Sequence, residues 1–108
     1  MHILMMAVLC ACAVANPLAA AQAAALAPPS RLGLCAACHG AQGHASMPGV
    51  PHLAGQREDY LRAALRQYRN GQRNVAVMRT AVGPLSDAEL DALALWYSRQ
   101  SPLVQGQP

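Results

Sequence analysis

Apolar positions recur with helical spacing in two stretches of the chain. Leu61, Ala64, Leu65 and Tyr68 fall at i, i+3, i+4 and i+7, which is one face of an amphipathic helix. The predicted helix runs from Gln56 to Asn70. Glu58 and Asp59 favour its positive N-terminus, and Arg66 and Arg69 its C-terminus. Gly71 is placed to stop it in a left-handed cap. Leu90, Leu93, Ala94 and Tyr97 form a second stripe. Ser86-Asp87-Ala88-Glu89 ahead of it reads as a capping box, in which the Ser86 hydroxyl and the Glu89 carboxylate each take a free backbone N–H. That helix should run to about Arg99 and end before Pro102. A shorter helix opens at Pro29 or Ser30, where proline is tolerated, and continues through Leu34 to Cys38. Residues 40–56 hold Gly40, Gly43, Pro48, Gly49, Pro51 and Gly55, a density that predicts loop. Residues 72–85 are read as a second loop. No strand or repeat is visible, so the fold class is all-α.

The first part of the chain is different in kind. Met1 to Ser30 contains no Lys, Arg, Asp or Glu, and Ile3 to Ala15 is an unbroken apolar run of 13 residues. A membrane span needs about 20, so the run fits the core of an export signal. Small-residue cleavage sites follow at Ala21-Gln22-Ala23 and Ala23-Ala24-Ala25, although Met1-His2 brings no Lys or Arg to the start. Leu9-Cys10-Ala11-Cys12 loosely resembles a lipobox, with Cys12 as the lipid-bearing residue. The expected organisation is a signal peptide over 1–25 (or a lipoprotein signal or anchor), a folded domain over 30–100 and a flexible tail over 101–108. Location is expected to be periplasmic, with membrane attachment only if the leader is retained or lipidated.

The 108 residues carry a net charge of +3 and no Phe. The folded part is small enough to need a staple, metal or cofactor. Arg57, Arg62, Arg66, Arg69, Arg73 and Arg79 lie close together, as a solvated face that can also steer an acidic partner. Nucleic acid is a poor reading, because no aromatic residues interleave with the arginines and the chain reads as exported.

Cys35-Ala36-Ala37-Cys38-His39 is C-x-x-C-H, the attachment motif of c-type haem. Two thiols three residues apart on a helical turn face the same way and can form thioethers to two vinyl groups on one porphyrin edge. His39 follows directly and can reach the iron. A thiol–disulfide exchange site would expect a βαβ context. A structural zinc site needs four ligands and would have to draw on Cys35, Cys38 and His39, His44 or His52. For the sixth iron position Met78 is preferred: about forty residues of chain separate it from His39, enough to travel around the haem edge. Met47 is much nearer His39, and His44 and His52 are the other candidates.

These residues resemble class I c-type cytochromes of the cytochrome c4-like branch. The resemblance rests on Cys35-Ala36-Ala37-Cys38-His39-Gly40, Pro51-His52-Leu53-Ala54-Gly55-Gln56, Tyr60-Leu61, Val77-Met78, Leu85-Ser86-Asp87 and Leu93-Ala94-Leu95-Trp96-Tyr97. It implies a small cytochrome c fold of three to four helices wrapped around one covalent haem c, with His39 and Met78 as axial ligands to iron. It also implies that the Pro51 carbonyl accepts the Nδ1 proton of His39, which fixes the tautomer. The N- and C-terminal helices are then expected to cross near Trp96 and Tyr97. Two departures stand out: Pro28-Pro29 shortens the N-terminal helix, and there is one C-x-x-C-H where the better-known members carry two haem domains.

The function expected is that of a soluble electron carrier rather than an enzyme, cycling Fe(III) and Fe(II) with redox proteins that present an acidic docking surface. Six-coordinate iron leaves no site for substrate. A haem subunit or tethered domain of a larger oxidoreductase is the alternative. A haem gas sensor would require Met78 not to bind.

Overall fold

The computed structural model describes residues 27–102, together with Val14. The expected signal peptide over 1–25 and residues 103–108 of the tail thus fall, Val14 apart, outside the described residues. Four helices and no strand occur among those described: α1 (Leu32–His39), α2 (Glu58–Asn70), α3 (Ala76–Val82) and α4 (Asp87–Ser98).

Helix α1 opens on a turn in which Leu32 N donates to the Pro29 carbonyl at 3.0 Å. It ends where Gly40 takes φ +81°. Helix α2 starts two residues later than the periodicity predicts. Gln56 N is already spent on the Leu53 carbonyl, and Arg57 N donates to the Gln56 side chain. It stops as expected at Gly71, in the left-handed conformation with φ +87°. Helix α4 begins with the capping box: Glu89 N donates to Ser86 Oγ at 3.1 Å and Ser86 N to Glu89 Oε2 at 2.9 Å.

Helix α3 corrects the expectation of a loop over 72–85. Its sequence is rich in β-branched residues and has no side-chain cap, so local propensity is poor. It forms because Val82, fully buried, and Met78 one turn before it pack on Leu85, Leu90 and Leu93. Burial of one helical face supplies what local preference lacks.

The core has two parts. Val82, Leu85, Leu90 and Leu93 form one, with Cys35, Leu65, Tyr68 and Met78 against it. Leu61, Ala94 and Tyr97 form the other, with Leu32, Cys35, Leu53, Leu65 and Trp96 around it. Cys35 and Leu65 touch both. Helix α2 packs on α3 and, more extensively, on α4. The crossing of the first and last helices is narrow: Leu32 and Cys35 are what α1 brings to the cluster holding Ala94 and Tyr97.

The arginines expected to form a solvated basic face are mostly committed within the molecule. Arg66 reaches Asp91 at 2.8 Å and Arg62 reaches the same carboxylate at 3.2 Å. Arg69 pairs with Asp87 and donates to the Leu85 carbonyl at 3.0 Å. These pairs clip α2 to α4. The two guanidiniums cover Asp91 Oδ1, but the side chains remain partly exposed, so each pair adds at most about 1 kcal/mol. Arg31 and Arg57 pair with Glu89 and Asp59.

These pairs set an acid dependence. Arg69 holds the Asp87 carboxyl below its ordinary range, Arg31 that of Glu89, and Arg57 that of Asp59. Each contributes stability that is present above the unfolded carboxyl pKa of about 4 and is lost as pH falls through the lower folded value. The urea midpoint is expected to hold steady down to about pH 5 and to decline below about pH 4, with a shallower decline in Asp87→Asn. An identical slope in that variant would show that the pairing of Asp87 contributes nothing.

Candidate functional site

The site is built at the C-terminal end of α1. The helical turn carries Cys35 and Cys38, both free thiols and partly buried. Burial pushes the Cys35 thiol above its ordinary pKa. A thiol used for disulfide exchange needs the opposite shift, so this cysteine is suited to being capped rather than to exchange. Among the described residues no cluster of three or more His, Cys, Asp or Glu side chains is arranged to hold a metal ion, so a four-ligand zinc site has no basis there.

Among the described residues His39 is the one buried polar side chain, 8% exposed. Its Nδ1 donates to the Pro51 carbonyl at 2.9 Å. That bond puts the ring proton on Nδ1 and leaves the Nε2 lone pair free for a metal. Pro51 reaches this position because the loop after α1 folds back on itself. Leu53 N and Ala54 N both donate to the Gly43 carbonyl, at 2.9 and 3.2 Å. Gly43 is required there: its φ is +80°, and a Cβ would lie 2.5 Å from Ala54 N.

The other candidate ligands have separate occupations. His44 Nε2 donates to the Ser101 carbonyl at 2.8 Å, and His52 Nδ1 accepts from Ala45 N at 2.9 Å. Met47 is 49% exposed on the loop. Met78, from α3, is half-buried on the cluster that Cys35 also touches. The five residues singled out from the sequence thus come to one region through two links: the His39–Pro51 bond and the shared packing of Cys35 and Met78.

Two further groups support this region. Trp96 Nε1 donates to the Ala41 carbonyl at 2.7 Å, and Tyr97 Oη to the Gly40 carbonyl at 3.0 Å. Both carbonyls lie just beyond His39, so α4 buckles down the chain that leaves the motif. Burial drives the Tyr97 hydroxyl to a higher pKa, and it stays a neutral donor. A buried indole or phenol needs such a partner, but the sequence does not say which carbonyl supplies it.

A single haem fits this donor set. The two thiols are unpaired, the imidazole has a fixed tautomer with one free nitrogen, and a thioether is near. Apolar side chains that a macrocycle could cover stand exposed on α1 and around α3, among them Leu34, Val75 and Val77, the last 68% exposed.

Comparison with known proteins agrees with this reading. The family model for cytochrome c matches residues 31–97. The thiosulfate dehydrogenase electron acceptor of Thiomonas intermedia is 44% identical over 90 residues, covering 82% of this chain and 41% of that protein. Cytochrome c-554(548) of Halomonas halodenitrificans is 40% identical over 73 residues, covering 65% of this chain and 88% of that one. The solved structure of Acidithiobacillus ferrooxidans cytochrome c4 superposes with a TM-score of 0.56 at 32% identity, covering 60% of this chain and 37% of that structure. The chain therefore spans about two fifths of the longer relatives and most of the shortest. The match takes in the C-x-x-C-H motif and ends on the α4 residues that clasp it: this chain belongs to the cytochrome c family, as a class I, cytochrome c4-like member.

Proposed function

We propose that residues 30–100 form a single haem c domain that carries one electron at a time between proteins outside the cytoplasm. In this reading Cys35 and Cys38 hold the group covalently, and His39 Nε2 and the Met78 thioether are the axial ligands. Bound there, haem c supplies a ferric/ferrous couple, which His/Met ligation poises at higher potential than harder ligands would. The protein's part is to keep the ligands in place. Pro51 fixes the imidazole, Trp96 and Tyr97 fasten the chain behind it, and the α3–α4 packing holds the sulfur. The observation that carries the proposal is the His39 Nδ1–Pro51 bond, since a buried imidazole with one nitrogen satisfied and the other free is a ligand in waiting.

Residues 1–25 are read as an export signal and 101–108 as a tail. No helix among the described residues is long and apolar enough to cross a membrane. The partner is a redox protein with an acidic docking surface. Arg79 and Arg99 are exposed and pair with no carboxylate among the described residues, Arg79 donating instead to Asn74 Oδ1 at 3.1 Å, and would present positive charge to it. One relative is named as the electron acceptor of thiosulfate dehydrogenase, and a dehydrogenase of that kind is a fitting donor. The greater length of several relatives favours a second reading, in which this domain serves a larger oxidoreductase. Stable co-purification with such a partner would select it.

The test is the holoprotein matured with haem-attachment machinery. Its mass is expected to equal the processed chain plus one haem. Its ferric spectrum is expected to show the weak far-red band of sulfur-to-iron charge transfer. A colourless product, or a ferrous form that binds carbon monoxide rapidly, would overturn the assignment.

A further inference from the structure

Met78 is carried by a weak element. Helix α3 has seven residues and no side-chain cap, and isolated helices of that length do not persist in water. From inside, the leucine cluster holds it. From outside, it is joined to α2 through the short segment from Gly71 to Val75, none of whose residues is buried.

Arg73 sits in the middle of that segment and is bound on several sides. Its backbone N donates to the Gln67 carbonyl at 3.0 Å, and its Nε to Gln67 Oε1 at 2.8 Å. Its Cζ lies 5.5 Å from the ring centre of Tyr60 and 5.6 Å from that of Tyr68. Its Nη2 donates to Tyr60 Oη at 3.4 Å. Arg62, Arg66 and Arg69 on the neighbouring helix all pair with carboxylates. Arg73 has none among the described residues; two aromatic faces and an amide receive its charge instead. Tyr68 itself packs on the cluster that seats Met78. A chain of direct contacts therefore runs from Arg73 through Tyr68 to the seat of the sulfur.

We propose that Arg73, lying over Tyr60 and Tyr68 and bonded to Gln67, is a positioning residue that holds the Met78 thioether on the haem iron. The proposal rests on Met78 being the sixth ligand. Releasing Arg73 frees the segment ahead of α3 and raises the population in which the sulfur is detached. A guanidinium does this better than an ammonium, because its plane can lie on a ring while Nε remains bonded.

The experiment titrates the ferric holoprotein with imidazole, which competes for the sixth position, and follows bleaching of the far-red sulfur band. Each stacking contact contributes a factor of about 2–5 at a partly exposed site. Arg73→Ala is therefore expected to lower the apparent dissociation constant for imidazole about tenfold, in proportion to the detached fraction. Arg73→Lys should fall between the two. Tyr60→Leu should give part of the effect and add little in the Arg73→Ala background. Arg62→Ala, which loosens α2 from α4 without touching the segment, serves as the control: it should lower the urea midpoint and leave imidazole affinity within about twofold of wild type. An Arg73→Ala protein whose imidazole affinity equals that of Arg62→Ala overturns the role of Arg73 while leaving Met78 ligation standing. A wild-type ferric protein with no far-red band overturns both.

Discussion

Cys35→Ala/Cys38→Ala is expected to yield a product with no covalent haem and with most of its helix content lost. The reason is the size of the core. The largest fully buried side chains are Leu90, Leu93 and Val82, and no Phe is present to extend them. Full burial of each contributes about 1.5–3 kcal/mol, against a backbone cost of about 1–2 kcal/mol for every residue ordered. A domain of this length depends on a further staple. Cys35 lies where the two parts of the core meet, so a macrocycle joined there extends both. The measurements are haem colour on a denaturing gel and far-UV circular dichroism of the same preparation. Retained covalent colour would remove the cysteines from the attachment site. A colourless but fully helical chain would show that the apolar clusters suffice on their own.

Met78→Ala is expected to change the chemistry more than the colour. With Met78 as the proposed sixth ligand, loss of its thioether is expected to open that position. The far-red band should vanish, the ferrous form should bind carbon monoxide, and the potential should fall by on the order of 0.1–0.3 V within the roughly 0.8 V that axial ligands span. Stability should also drop. Met78 packs on Val82, Leu85, Leu90 and Leu93, and truncating a buried Met to Ala costs about 2–5 kcal/mol; half-burial puts this one near the lower end. Met78→Leu separates the two effects: it should restore most of the packing while leaving the iron open. A Met78→Ala protein with unchanged ferric spectrum and potential would shift the ligand elsewhere.

The elements that could be read in advance are those whose causes are local. Gly71 and the Ser86–Glu89 box each act within four residues, and α2 and α4 end or begin where those residues stand. The missed element, α3, is the opposite case. Val75, Val77 and Thr80 argue against a helix, and only the leucines of α4 and the loop before it reverse that preference. The arginines of α2 are a related case. Their spacing implies an exposed charged face, and Arg57 and Arg62 are exposed, but Asp87 and Asp91 lie on another helix, and only packing reveals that Arg62, Arg66 and Arg69 meet them.

By itself the sequence determined the covalent chemistry of the site: two thiols and an imidazole five residues from end to end, on one helical turn, need no fold to bring them together. The tertiary structure decided what faces that turn. The Pro51 carbonyl lies 12 residues from His39, and the Trp96 indole 55 from Ala41. The seat of Met78 is made by residues of α3, α4 and the loop between them. Such contacts form only when buried area offsets the entropy of closing the chain between them, and no pattern within a few residues records which pairs will meet.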